Sequence, residues 1–480
     1  MVECVVSRIT WNLNLSIGGF FAGLAIGGVG FFESYLDWLN LGVTLFSHLV
    51  FFFLTIYIFS SISIGIRELI QTPGFYAVLV KLAVTFVSVS LVFIYGLVVG
   101  LGYAIEVLSF NVLDSLTPSM LEDMALANDT GVHLKEFAQV IRAVDQPESS
   151  VQMLNSLFSN MSDQAIMLLG AIVIFSAAFA RQALASETFS LSDCIDETYQ
   201  ATEAALTGLL RLLPVVAFML GVATVLNLTL SFPLASLLQW SGLLVLVVFF
   251  VVTLVAVGLA VLVKTPFLAV VGRLGQVCFS AMASPSIFLM LPVIQDLLSR
   301  HFGIARERVQ LLAPSTLLLA NMSMVLSFVV LLTLTLALGD ETARTAREIL
   351  SPASIVLEQM RLLSFGLEDP VADFAGRLKA DFGLLPGMYI PLILALLPMV
   401  LVLARPLAIV FVSIVVITVA KWSGDAMETE EAEVLSNETL IVFDISITML
   451  VGMVTLACVL TLIVFGLGYG LSVAGIFPLN

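Results

Sequence analysis

The sequence predicts an all-α polytopic membrane protein, and three observations carry that expectation. The chain is 60% hydrophobic and only 11% charged, whereas a soluble domain of its size carries roughly 25% charged residues. Apolar runs of about 20 residues or more recur along all 480 residues, each long enough to cross a bilayer. The polar residues collect between those runs, chiefly in two long segments at 109–163 and 339–386.

Taken in order, spanning helices are expected at about 12–31, 41–64, 74–108, 164–184, 205–230 and 234–263. A broken apolar region follows at 266–298, then a helix at 309–338, a further apolar region at 387–420 and a last helix at 438–472. The helix that begins at Gly74 is longer than a perpendicular crossing needs and should tilt or protrude. The two polar segments mix charges of both signs with Ser, Pro and Asp, and read as extramembrane loops. Lys and Arg set the orientation. The connections at 32–40 and 231–233 hold none, while Arg8, Arg67, Lys81, Arg181, Lys264, Arg300, Arg306 and Arg308 share the other side if the helices alternate. That side is expected to be the cytoplasm of a cell membrane, with the N-terminus inside and both long loops outside.

Several classes are excluded or disfavoured. The net charge of −16 arises mostly in loops, and no basic stripe suggests nucleic acid. Cys4, Cys194, Cys278 and Cys458 show no CxxC or metal-like spacing and read as isolated small apolar residues. No HExxH, GxSxG or paired catalytic aspartates point to an intramembrane enzyme. Arg8 is followed by an apolar stretch that continues as a spanning helix, which is no cleavable signal pattern.

Two irregularities carry the functional reading. The region 266–298 has charges near both ends and Ala-Ser-Pro-Ser at its centre, residues 283–286. Pro285 removes a backbone donor and disfavours helix at Ser284. The region is therefore either one kinked spanning helix or a re-entrant hairpin with Ser-Pro-Ser as its turn. The next segment holds Asn321 and Ser323 at its middle, where lipid offers no partner. Either they bond to a neighbouring helix, or the helix breaks there to build a site.

The order of these features resembles the dicarboxylate/amino acid:cation symporter family, which includes glutamate and aspartate transporters. Leu291-Pro292-Val293, Gly303-Ile304, Pro314 and Asn321-Met322 stand in that family's order, with spacing within about one residue at each step. Weaker similarity covers 74–90, 152–180 and Leu213-Pro214. The resemblance implies eight transmembrane helices plus two re-entrant hairpins, in a trimeric elevator with scaffold and transport domains. On it, 1–73 and 164–233 are scaffold, and 74–108, 234–338 and 387–480 form the transport domain. The first hairpin is 266–298, the broken seventh helix 309–338, the second hairpin 387–420 and the eighth helix 438–472.

The site it implies departs from the family pattern. Ser284 and Ser286 remain of a serine-rich tip, but Ile287 and Phe288 follow them. The family's cation-binding aspartate is Ser323 here. The second tip is glycine-rich in the family, yet 395–410 contain no glycine. In the last helix Asp444, Thr448 and Met449 match the family, its substrate arginine is Ile447, and its later Asn and Asp are Val451 and Thr455. Asp444 and Thr448 share a helix face. An intramembrane carboxylate is a functional candidate by default, although Asp444 also fits the outer interface. Arg405 either supplies the missing positive charge or snorkels to the headgroups. Lys81 reads as an interfacial anchor, and His48 as a packed or hydrogen-bonded histidine.

The substrate site is thus expected at Ser284, Ser286, Asn321, Arg405, Asp444 and Thr448, and the cation or proton site at Asn321, Ser323, Asp444, Thr455 and Ser90. The expected function is cation-coupled symport of a small organic solute, such as a dicarboxylate or amino acid, with altered sodium sites. Sodium or a proton is the coupling ion, no other cofactor is expected, and the partners are the solute, the bilayer and two further copies in a homotrimer. The alternative is a relative that keeps the fold for a structural or sensing role without transporting.

Overall fold

A computed structural model describes residues 2–28, 36–70, 75–107, 191–231, 234–320 and 389–424, together with Met322, Val325, Leu326 and Val329. The expected helices at 164–184 and 438–472, the side chains of Asn321 and Ser323, and Asp444, Thr448 and Thr455 lie outside the described residues. All regular structure among the described residues is helical.

The first three helices are α1 (Val2–Gly27), α2 (Leu36–Ile70) and α3 (Phe75–Val107). α1 starts some ten residues before the expected span, and α2 extends past its expected span at both ends. The next segment departs more. Instead of one span from residue 205, α4 (Leu191–Leu209) and α5 (Leu213–Ser231) form a pair bent by 56°. Pro214, in the first turn of α5, lacks the N–H that would continue the ladder. Most of α4 precedes the expected span, and its Cys194, Thr198, Tyr199 and Thr202 are buried on one face. It is an amphipathic helix packed on α2.

α6 (Leu234–Val263) ends where Lys264 takes a left-handed φ of 59°. α7 (Phe267–Met282) follows and stops at Ala283. Beyond the break come a 3₁₀ turn at Ile287–Met290, the short α8 (Leu291–Asp296) and a wide turn at Leu297–His301. α9 (Arg306–Leu319) ends at Ala320, directly before Asn321, and the N–H of Met322 turns back to the Ala320 carbonyl at 2.9 Å. The interruption therefore falls where the sequence placed it.

The last described helix corrects an expectation. Tyr389–Trp422 is one continuous helix, α10, and the second hairpin assigned to 387–420 does not form there. The segment 395–410 has no Gly, Asn, Asp or Ser to reverse the chain. Pro398 and Pro406 are accommodated inside the helix, as membrane helices allow where neighbours serve the freed carbonyls. Cys278 Sγ lies 3.9 Å from the Pro406 carbonyl oxygen, as a weak donor.

Among the described residues four helices are long and apolar enough to cross a membrane, and five if the bent pair counts as one span. α10 is the innermost, with 83% of its most apolar window buried, against 39% for α6. Phe411 anchors α10 edge-on to Phe86 and Phe93 of α3, each 5.3 Å away between ring centres. α1 packs chiefly on α5, α2 on α4 and α9, and α10 on α3, α6 and α7.

Candidate functional site

The break after α7 is built by its own residues. Pro285 bars Ser284 from helix, and Ser286 is extended at φ −132°, ψ 128°. Ser284 Oγ donates to the Ser286 carbonyl at 2.7 Å and accepts the Ser286 N–H at 3.4 Å. Both serines are buried. The tip is thus a closed local turn whose hydroxyl is already engaged.

Arg405 of α10 reaches this tip. Its Nη1 donates to the Met282 carbonyl and its Nη2 to the Pro285 carbonyl, each at 3.2 Å. The side chain is thus turned towards the tip carbonyls. A guanidinium has five N–H donors, and these bonds use two. Among the described residues no carboxylate pairs with Arg405. The result is a half-buried cation at a helix C-terminus, where the dipole favours positive charge, with donors to spare.

Ser90, the expected cation ligand on α3, is fully buried, and its hydroxyl has no hydrogen-bond partner. Two residues missed in the sequence share this state: Ser280, one turn before the tip, and Thr316, one turn before the end of α9. Unpartnered hydroxyls at such depth are costly and are oxygen donors of the kind a hard cation uses. Thr316 is the Thr of Pro314-Ser-Thr, five residues before Asn321.

A second polar cluster was not anticipated. Tyr57 and Ser61 of α2, Tyr199 of α4 and Gln295 of α8 are all buried. Tyr57 Oη donates a short hydrogen bond to Gln295 Oε1, and Tyr199 Oη approaches the same oxygen at 3.4 Å. Gln295 Nε2 donates to Ser61 Oγ at 3.0 Å, which donates to the Gln310 carbonyl at 2.9 Å. The two tyrosine rings stack at 5.1 Å. Charges gather beside it: Arg67 grips Asp196 at 3.1 and 3.2 Å, Arg300 pairs with Asp296 at 2.6 Å, and Arg306 lies 3.8 Å from Glu203.

The model of the sodium:dicarboxylate symporter family matches residues 13–354. The chain belongs to that family. The match runs from the middle of α1 past the end of α9, including the tip, and stops before α10. No curated protein is similar enough to be matched to this chain. Membership makes the chain one of a family of sodium-coupled symporters that are transporters rather than enzymes. Embedding in a membrane agrees with the apolar helices. Lys81, at the start of α3, binds the end of α10: Nζ donates to the Trp422 carbonyl at 2.9 Å and lies 5.7 Å from the centre of the Trp422 ring.

Proposed function

We propose that this chain is a secondary active symporter for a small organic solute bearing a carboxylate, a dicarboxylate or an amino acid, and that Arg405 recognises the anion. The observation that carries this is the guanidinium at the Ser-Pro-Ser tip, with spare donors and no acidic partner among the described residues. In a chain with isoleucine at position 447, Arg405 of α10 supplies a positive charge at the tip. Planar guanidinium suits bidentate carboxylate recognition.

The segment from α7 to α9 is read as a re-entrant hairpin, and its neighbours support this. Lys81 near the start of α3 and Lys421 near the end of α10 bond across to Trp422 and Leu262, so those three helix ends share one face. α7 begins there, directly after α6. α2 leaves at that face too, because only four residues join it to α3, and its Gly65 abuts Glu307 and Leu311 of α9. The tip meets Arg405, which precedes Lys421 by sixteen residues, or about 24 Å of helix. The chain thus enters and returns by one face and reaches deep into the bilayer.

By resemblance to the family, α3, α6, α7 to α9 and α10 move as an elevator against α1, α2, α4 and α5, with a homotrimer as the assembly. The basic face is assigned to the cytoplasm of a cell membrane. For sodium, Ser90, Thr316 and the freed carbonyls at the end of α9 are donors of the right kind. Ser323 in place of a carboxylate weakens the site, and Asp444, if it titrates, makes a proton the alternative ion.

The test is thermal stability of the purified protein against dicarboxylates and neutral and acidic amino acids, each with sodium, with potassium and at two pH values. A solute-dependent rise that Arg405→Gln removes supports the reading. Silence across the panel leaves a relative without transport, a reading favoured by the unbroken α10, which supplies no second tip.

A further inference from the structure

We propose that Tyr57, Tyr199 and Gln295 form a latch that holds the returning arm of the hairpin, α8 and α9, in register against α2 and α4. The inference rests on the reading that this arm moves relative to those helices, and adds what fixes its resting position.

The latch is built on one stripe of α2. Tyr57, Ser61 and Gly65 are spaced four apart and therefore share a face, and all three meet the arm. Tyr57 Oη donates to Gln295 Oε1, Ser61 accepts from Gln295 Nε2 at 3.0 Å and passes a bond to the Gln310 carbonyl at 2.9 Å. A Cβ on Gly65 would stand 2.8 Å from the Glu307 carbonyl and from Leu311, so the helices meet there at backbone distance. α4 completes the grip with Tyr199, stacked on Tyr57. At the cytoplasmic rim Arg306 of α9 faces Glu203 of α4 at 3.8 Å.

Gln295 is the keystone because its amide has both halves engaged: the oxygen by the tyrosines, the nitrogen by Ser61. No purely apolar packing needs such a residue in this position. The bonds are also specific in register. A slide by one helical turn, about 5.4 Å, would carry Gln295 past both Tyr57 and Ser61 and leave buried donors and acceptors unpaired, which is unfavourable wherever water and other partners are absent. The seam therefore has one well-bonded position and a barrier to leaving it. A grease-only seam would slide through neighbouring positions with little preference.

The full-length protein in nanodiscs, without its native cysteines, tests this. Spin labels are placed at Gln200→Cys on α4 and Leu268→Cys on α7, both exposed positions, and their separation is read by pulsed electron resonance. The parent is expected to show one dominant distance. Tyr57→Phe keeps the stacked ring and removes only the hydroxyl, and should raise the share of a second distance by about five- to tenfold, the worth of one net hydrogen bond. Gln295→Leu should raise it at least as much. The pair together should add little, since both cut the same bond, and Tyr199→Phe, at 3.4 Å, should do least. Unchanged distances in all variants, with only a lower melting temperature, would overturn the latch and leave these residues as static packing. The solute panel is independent: a parent that binds nothing there sinks the transport reading, while a variant-induced second distance still stands for the latch.

Discussion

Where α1 crosses α5, backbone meets backbone; where α2 and α4 meet α8 and α9, hydrogen-bonded side chains meet. In the first seam Gly19, Gly23 and Gly27 recur every four residues. An added Cβ would stand 2.7 Å from the Pro214 carbonyl at Gly19 and 2.3 Å from the Phe218 carbonyl at Gly23, and Gly221 returns the contact on Phe20 at 2.4 Å. Small residues let membrane helices approach closely enough for van der Waals packing to hold them. Backbone approach, not a chain of side-chain bonds through one residue, fixes the position there. The second seam has one close glycine contact, at Gly65, and otherwise a chain of bonds through Gln295. Hydrogen bonds can be exchanged for others, whereas a backbone wedge can only be separated. In the proposed elevator, that difference suits α1–α5 to the frame and the α2–α4 face to a surface with a preferred but releasable position.

Substitutions can break that contrast, the largest first. Gly23→Ala should destabilise by about 3 kcal/mol, the upper range for overpacking, because the obstructing atom is backbone; thermal melting in detergent reads it, and spin-label distances across the second seam should not change. Gln295→Leu should cost about 2 kcal/mol, since it takes the acceptor from the buried Tyr57 hydroxyl and the donor from Ser61, which keeps only its bond to the Gln310 carbonyl, and unlike Gly23→Ala it should alter those distances. Tyr57→Phe should cost about 1 kcal/mol. Arg67→Gln should cost at most about 1 kcal/mol, and less as salt rises, because the pair with Asp196 is more than a third exposed. Gly242→Ala, whose Cβ would meet nothing within 4 Å, should change the melting point by no more than a degree or two, or raise it slightly through the unfolded chain. A large loss there would show that open glycines also matter and blunt the comparison.

How much of this was legible in the sequence differs by region. The break at Pro285 could be read from local chemistry, because proline constrains its own φ and its predecessor wherever it stands. The interruption before Asn321 was legible through spacing and resemblance. The hidden parts have no such local sign. Gln295 reads as one amide near the end of an apolar run; only the tyrosines delivered by α2 and α4, 238 and 96 residues away along the chain, give it a role. Arg405 beside Pro406 looked like a turn, and the expected second hairpin there was wrong. Proline breaks a helix in water, yet inside a packed membrane bundle the freed carbonyl finds other partners and unfolding that stretch would expose more unpaired groups than it relieves.

The sequence by itself determined that this chain is a helical membrane protein, which end of its helices is basic, and where the backbone must leave the helix, because hydropathy, charge and proline act through solvent and through adjacent peptide units. Only the tertiary structure decided that Arg405 serves the Ser-Pro-Ser tip, that one seam is held by glycine and the other by hydrogen bonds, and that residues 389–422 run on as a single helix. Those outcomes depend on what lies across a helix–helix contact, and partners far apart in the chain leave no mark on one another's local sequence.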